Sequence, residues 1–241
     1  MLTKITAIEA RLFFREPGVW LLTILLPTIV LVVVGLMFGR QPDPALGGRR
    51  WIDIFAPSMV VMTLAILGVN TLPGRLVKYR EKGVMRRLST TPASPRSLLI
   101  GQLAVNMGVA VVSLVLLIVV GNLVLQVPLP KDPIGFAIAF LLGMSALFAL
   151  GLLVAAVAPT PGVATALFVP LFALVMFLGG VYLPRMLLPE LLIRIGDYTP
   201  PGIQALLDAW SGTSPQPAQL AVMGLITVVA GTVAARRFRW E

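Results

Sequence analysis

Six stretches of this sequence, each about as long as the roughly 20-residue helix that crosses 30 Å of hydrocarbon, contain no Asp, Glu, Lys or Arg. They run from Val19 to Phe38, Ile54 to Thr71, Leu99 to Leu125, Ile134 to Val157, Val163 to Leu183 and Ala218 to Ala235. A charged side chain at the centre of such a span is costly, so uninterrupted runs of this length point to lipid as the solvent. Composition agrees: of 241 residues 58% are hydrophobic and 12% charged, more apolar surface than one small core can hide. The expected fold class is an all-α integral membrane protein with six transmembrane helices, forming a single transmembrane domain over residues 1–241. The first run lacks an Ala-x-Ala exit and is followed by further spans, so it reads as permanent structure and not as a cleaved leader.

Absent residue types remove most enzyme chemistry. With no Cys and no His there can be no disulfide framework, no Cys/His zinc site and no Ser-His or Cys-His nucleophile. The spans hold no ionisable side chain between their interfacial ends, which counts against an ion-coupled transporter. Their polar residues, among them Ser58, Thr63, Asn106 and Ser113, read first as helix-to-helix hydrogen bonds. The small residues Ala139, Gly143, Gly151 and Ala155 on the fourth span suit close helix approach.

The formal charge of +9 follows topology. Counting Lys and Arg on alternate sides of the six spans gives thirteen on the side of the termini and six on the other. The positive-inside rule therefore places both termini in the cytoplasm. Acidic residues sharpen the contrast, since four lie inside and six outside, leaving the outer side neutral. A basic balance distributed this way fits membrane orientation and anionic lipid, not nucleic acid.

Two segments lie outside the spans yet have helical periodicity. Residues 1–17 read as an amphipathic interfacial helix, with Lys4, Arg11 and Arg15 clustered within about 40° on a wheel of 100° per residue, before Pro17 and Gly18 turn the chain inward. Residues 184–217 read as an extracellular helical hairpin before the last span. Forcing that stretch through lipid would bury Arg185, Glu190, Arg194, Asp197 and Asp208 at roughly 2.5 to 3.5 kcal/mol each. Glu190, Arg194 and Asp197 share one face of the first hairpin helix, Leu188, Leu191, Leu192 and Ile195 another, and Tyr198 to Gly202 breaks it before a second helix from Ile203 to Trp210.

The longest cytoplasmic connection, residues 73–97, carries Arg75, Lys78, Arg80, Lys82, Arg86 and Arg87, then Leu88 and a proline-containing turn. Positive-inside charge explains its sign. Its order, Tyr79-Arg80-Glu81-Lys82-Gly83-Val84-Met85-Arg86-Arg87-Leu88-Ser89-Thr90-Thr91-Pro92, resembles the membrane subunits of the ABC type-two transporter family, the permeases of drug, lipid and polysaccharide exporters. Val84 stands where that family commonly has Thr. Leu178-Gly179-Gly180-Val181-Tyr182-Leu183-Pro184 is similar to the family's fifth span leading into its outer hairpin, and Phe13-Phe14-Arg15-Glu16-Pro17 is similar to its connecting helix.

The resemblance implies a permease of an ATP-driven exporter for a hydrophobic or amphipathic substrate such as a drug, antibiotic or lipid. It implies docking of an ABC ATPase subunit through Arg11, Arg15, Glu81, Gly83, Arg86, Arg87, Leu88 and Pro92. It also implies a second permease, as homodimer or heterodimer, with a substrate path between the second and fifth spans near Met59, Met62, Ile66, Asn70, Phe168, Phe172, Met176 and Phe177. No Gly-x-x-x-x-Gly-Lys-Ser/Thr loop occurs in the chain, so ATP and Mg belong to the partner, and this chain is expected to hold no cofactor and no metal and not to be an enzyme. The residues themselves leave other readings open: export of a lipid-linked glycan, ion-coupled transport, or a membrane scaffold that uses the basic loop to hold a soluble partner.

Overall fold

Prolines open most of the long helices, because a pyrrolidine has no N–H to leave unsatisfied and its φ is already helical. Pro17, Pro133, Pro161 and Pro217 each begin one. The structure is a computed structural model that describes residues 2–38, 41–43, 48–84 and 95–237. Its helices are α1 (Leu2–Arg15), α2 (Pro17–Phe38), α3 (Trp51–Glu81), α4 (Ser97–Leu125), α5 (Pro133–Val157), α6 (Pro161–Leu178), α7 (Glu190–Asp197), α8 (Ile203–Ser211) and α9 (Pro217–Arg237). Six of them, α2 to α6 and α9, are long and apolar enough to cross a membrane, so the chain has the all-α, six-span architecture. Among the described residues a single antiparallel pairing, β1 (Pro42–Asp43) with β2 (Arg49–Arg50), lies between α2 and α3.

The second span is the axis of the bundle. In α3 every residue from Ala56 to Val69 is buried, and α2, α4, α5 and α6 all pack on it. The other spans keep much of their apolar surface on the outside, as elements bathed in lipid do, and α5, half buried, keeps the least. Small residues set the tightest crossing: a Cβ on Gly151 of α5 would collide with the Gly68 carbonyl oxygen of α3, and one on Gly68 would sit 2.8 Å from Leu147 Cβ. Backbones meet there because neither position carries a side chain, the usual device for helix packing in lipid. Behind α5 lies α9, paired with it along Gln219, Met223, Ala230 and Ala234, all buried.

Both α2 and α3 contain a widened π turn immediately before a proline. Leu21–Leu25 precedes Leu26-Pro27, and Ile66–Thr71 precedes Leu72-Pro73. In each the closing bond spans five residues, from Leu26 N–H to Leu21 O and from Leu72 N–H to Leu67 O. The cause is steric, since a proline ring clashes with the carbonyl four residues back and the helix widens to clear it.

The structure departs from the sequence expectation most at the second span. From Thr71, where lipid-compatible composition stops, the helix continues through the ten residues Leu72–Glu81. Leu72, Leu76 and Val77 are buried, and Arg80 Nη1 donates to Ala155 O at 3.2 Å while its Nη2 donates to Ala158 O, fastening this extension to the end of α5. Burial of one face sustains a helix irrespective of where the charges begin.

At the opposite end of the bundle, Pro189 delays the first hairpin helix, so that a 3₁₀ turn at Arg185–Leu187 precedes α7. Glu190 and Arg194 pair along α7 at 2.6 Å, but Asp197 turns away to Arg185. The α8 helix packs on α5 and α3, with Trp210 edge-on to Phe136 at 5.4 Å.

Candidate functional site: a cavity along the second span

A cavity of about 670 Å³ lies between α2, α3 and α6, bounded by α1 at the end of the bundle that carries the termini. Its long wall is one stripe of α3 with a spacing of four: Met62, Ile66, Asn70, Gly74, Lys78 and Lys82. Ile66 and Asn70, each two residues from Gly68, point to nearly the opposite side of the helix from Gly68, which is held against α5. The cavity therefore faces away from α5 and α9. Leu22 on one side and Tyr182 on the other are 55% and 59% exposed, so it is an open groove and not a sealed void.

Five of the eight path residues named from the sequence line this groove: Met62, Ile66, Asn70, Phe172 and Met176. Met59 and Phe168 are buried in the packing between helices, and Phe177 is half-buried outside the lining. Sequence reasoning missed Gly74, Arg75, Lys78 and Lys82, because it ended the span at Thr71. The spacing of four from Met62 to Lys82 was the available signal.

A buried polar node ties α1 to the wall of the groove. Glu9 is 3% exposed; Tyr79 Oη donates to its two carboxylate oxygens at 3.2 and 3.3 Å, and Gln102 Nε2 to one of them at 3.4 Å. Asn106 Nδ2 in turn donates to the Gln102 carbonyl at 2.8 Å. Burial raises the Glu9 carboxyl above its usual 4.5, opposed by the bonds from Tyr79 and Gln102 and by the Arg75 charge. One turn further, Arg75 lies 5.1 Å over the Phe13 ring and 3.7 Å from Glu16. Groups from α1, α3 and α4 thus meet in one place, so a force on α1 reaches α3 directly.

The docking residues named from the sequence divide in two. Arg11 and Arg15 are exposed on α1, and Glu81 is exposed at the end of α3. Gly83 follows with φ +64°, a left-handed conformation that a side chain would resist, and its N–H bonds to Arg80 O at 3.0 Å to close the helix. Arg86, Arg87, Leu88 and Pro92 lie outside the described residues.

At the hairpin end a second cavity, about 480 Å³, is lined by Asp53, Lys131, Gln204 and Asp208 among others. Asp53 is held by Arg50 at 2.7 and 3.0 Å, and Arg50 also donates to Leu125 O and Gln126 O, locking the start of α3 to the end of α4. Burial raises the Asp208 carboxyl, although Gln204 donates to it at 2.7 Å.

Five apolar spans gathered about a buried sixth, with an open groove along it, describe a membrane-embedded transport subunit. The chain belongs to the ABC-2 type transporter family, whose sequence model matches residues 2–201. It is accordingly a multi-pass membrane protein and the transmembrane component of an ABC transporter. Comparison with curated proteins gives no match.

Proposed function

We propose that the protein is the permease of an ATP-driven exporter in the cell membrane, with both termini cytoplasmic, and that it carries a hydrophobic or amphipathic substrate, drug-, antibiotic- or lipid-like, outward from the cytoplasm or inner leaflet. One observation carries the reading: residues of the second and fifth spans, far apart in sequence, line a single open groove along α3 from Met62 onward. Met and Phe walls adapt to varied apolar shapes. A second permease, identical or similar, set against this face would close two grooves into one path.

The driving step belongs to a separate ABC ATPase subunit, which would bind ATP and Mg. Its docking face comprises the exposed Arg11 and Arg15 of α1, Glu81 and Gly83, with Arg86, Arg87, Leu88 and Pro92 following in sequence. The Glu9–Tyr79–Gln102 node and the Arg80 bonds join that face stiffly to α3. ATPase closure would therefore displace the groove wall, and the π turns before Pro27 and Pro73 supply places where α2 and α3 can flex.

Charge reversal tests the docking. The Arg86→Glu/Arg87→Glu variant is expected to abolish copurification of the ATPase subunit while leaving the permease folded and monodisperse in detergent. Retained assembly at wild-type stoichiometry contradicts this docking surface.

A further inference from the structure

We infer that the groove selects an anionic amphiphile: a cargo whose acidic headgroup lies against Arg75, Lys78 and Lys82 and whose apolar tail lies along Met62, Ile66 and Phe172. This deepens the permease reading and rests on it. The charged side chains lining the groove, among the described residues, are Arg75, Lys78, Lys82 and Glu16, which leaves an excess of two positive charges. All four sit at one end. Toward the hairpin end the walls are Leu22, Leu26, Met62, Ile66, Phe172 and Met176, without a charge among them.

Position on the helix separates this from ordinary orienting charge. Positive-inside lysines need only be near the membrane surface, on any face. Lys78 and Lys82 continue the very stripe that carries Ile66 and Asn70, so their ammonium groups share the groove with the apolar wall. Arg75 is held by Phe13 on one side and only loosely by Glu16, at 3.7 Å without a hydrogen bond. Its guanidinium thus retains capacity for a phosphate or carboxylate.

Length fits as well. From Met62 to Lys78 the helix rises about 24 Å, more than the roughly 15 Å of one leaflet's hydrocarbon, so a head at the lysines leaves its tail wholly within the groove. A cationic amphiphile of the same shape would bring its charge against like charges. Between head and tail Gly74 leaves clear space, as a Cβ built there meets nothing within 4 Å.

The test uses the full chain in phosphatidylcholine nanodiscs and two fluorescent probes with one tail, dansylundecanoate and its trimethylammonium counterpart, with empty discs subtracted. The anionic probe is expected to bind at least about tenfold tighter. Lys78→Glu/Lys82→Glu should weaken it at least about thirtyfold, since loss of each lysine near a membrane surface removes roughly fivefold and each new carboxylate repels the probe. Gly74→Leu should remove binding of the anionic probe while the unfolding temperature does not fall and oligomeric size stays unchanged, because leucine favours a helix over glycine and its Cβ meets nothing there. Equal binding of the two probes overturns the inference, as does anion binding that survives either variant. A second permease filling the groove would show as Gly74→Leu altering oligomeric size with anion binding intact, which also overturns it. Failure here leaves ATPase copurification untouched, and failure of copurification leaves the charge preference readable, so the two proposals fall separately.

Discussion

Glu9 is the residue on which the mechanical account leans hardest. It has no business on the inner face of an amphipathic helix by hydropathy alone, and its place is explained only by Tyr79 and Gln102, 70 and 93 residues away in sequence. Because burial raises its carboxyl above 4.5, the folded chain keeps this proton at pH values where the unfolded chain has released it. Stability from this group is therefore greatest below about 4.5 and declines as pH rises through the folded value. Glu9→Gln, which stays neutral, is expected to flatten that decline and raise the unfolding temperature at pH 8 more than at pH 5. Glu9→Ala leaves two buried donors without their acceptor and should destabilise by about 1–3 kcal/mol at either pH. Identical pH slopes for wild type and Glu9→Gln in detergent unfolding would remove the node from the account. None of this was legible in the sequence, since local pattern carries no information on which distant polar groups will meet.

Among the elements, α3 organises the fold and forms the long wall of the groove. Its uncharged part was legible because lipid imposes a composition rule, and six runs obeying that rule specify six helices. The continuation from Leu72 to Glu81 was not, because the same rule is silent once the chain leaves hydrocarbon, and burial against α5 prolongs the helix instead. The π turns were equally hidden, as a regular period of 3.6 assigns no residue to the extra width that Pro27 and Pro73 impose. Close packing was legible in kind: Gly143 and Gly151 were marked by size, and Gly151 proves to touch the Gly68 carbonyl. Gly151→Leu is therefore expected to destabilise by more than about 2 kcal/mol, since backbone cannot yield as a side chain does. Gly108→Leu, where a Cβ meets nothing within 4 Å, should cost no stability. Thermal unfolding of the two variants side by side checks the helix pairing, and similar losses at both positions would contradict it.

For the whole molecule, the bundle is lopsided in a way that serves transport. One face of α3 is sealed against α5, which α9 backs, and the other is left as an open groove reaching the polar node beside α1. The groove was half legible. Its apolar members follow from the family resemblance and the second-span stripe, whereas its cationic end depends on a helix that outlasts the hydrocarbon. As the permease of an ATP-driven exporter, this chain is expected to move cargo only when a partner hydrolyses ATP. The direct measurement is movement of a fluorescent amphiphile across vesicles holding the permease and its ATPase subunit, with and without ATP and with an ion gradient imposed or collapsed. Movement that requires ATP and both subunits, and ignores the gradient, is the predicted result. Movement by the permease alone, driven by the gradient without ATP, would contradict it.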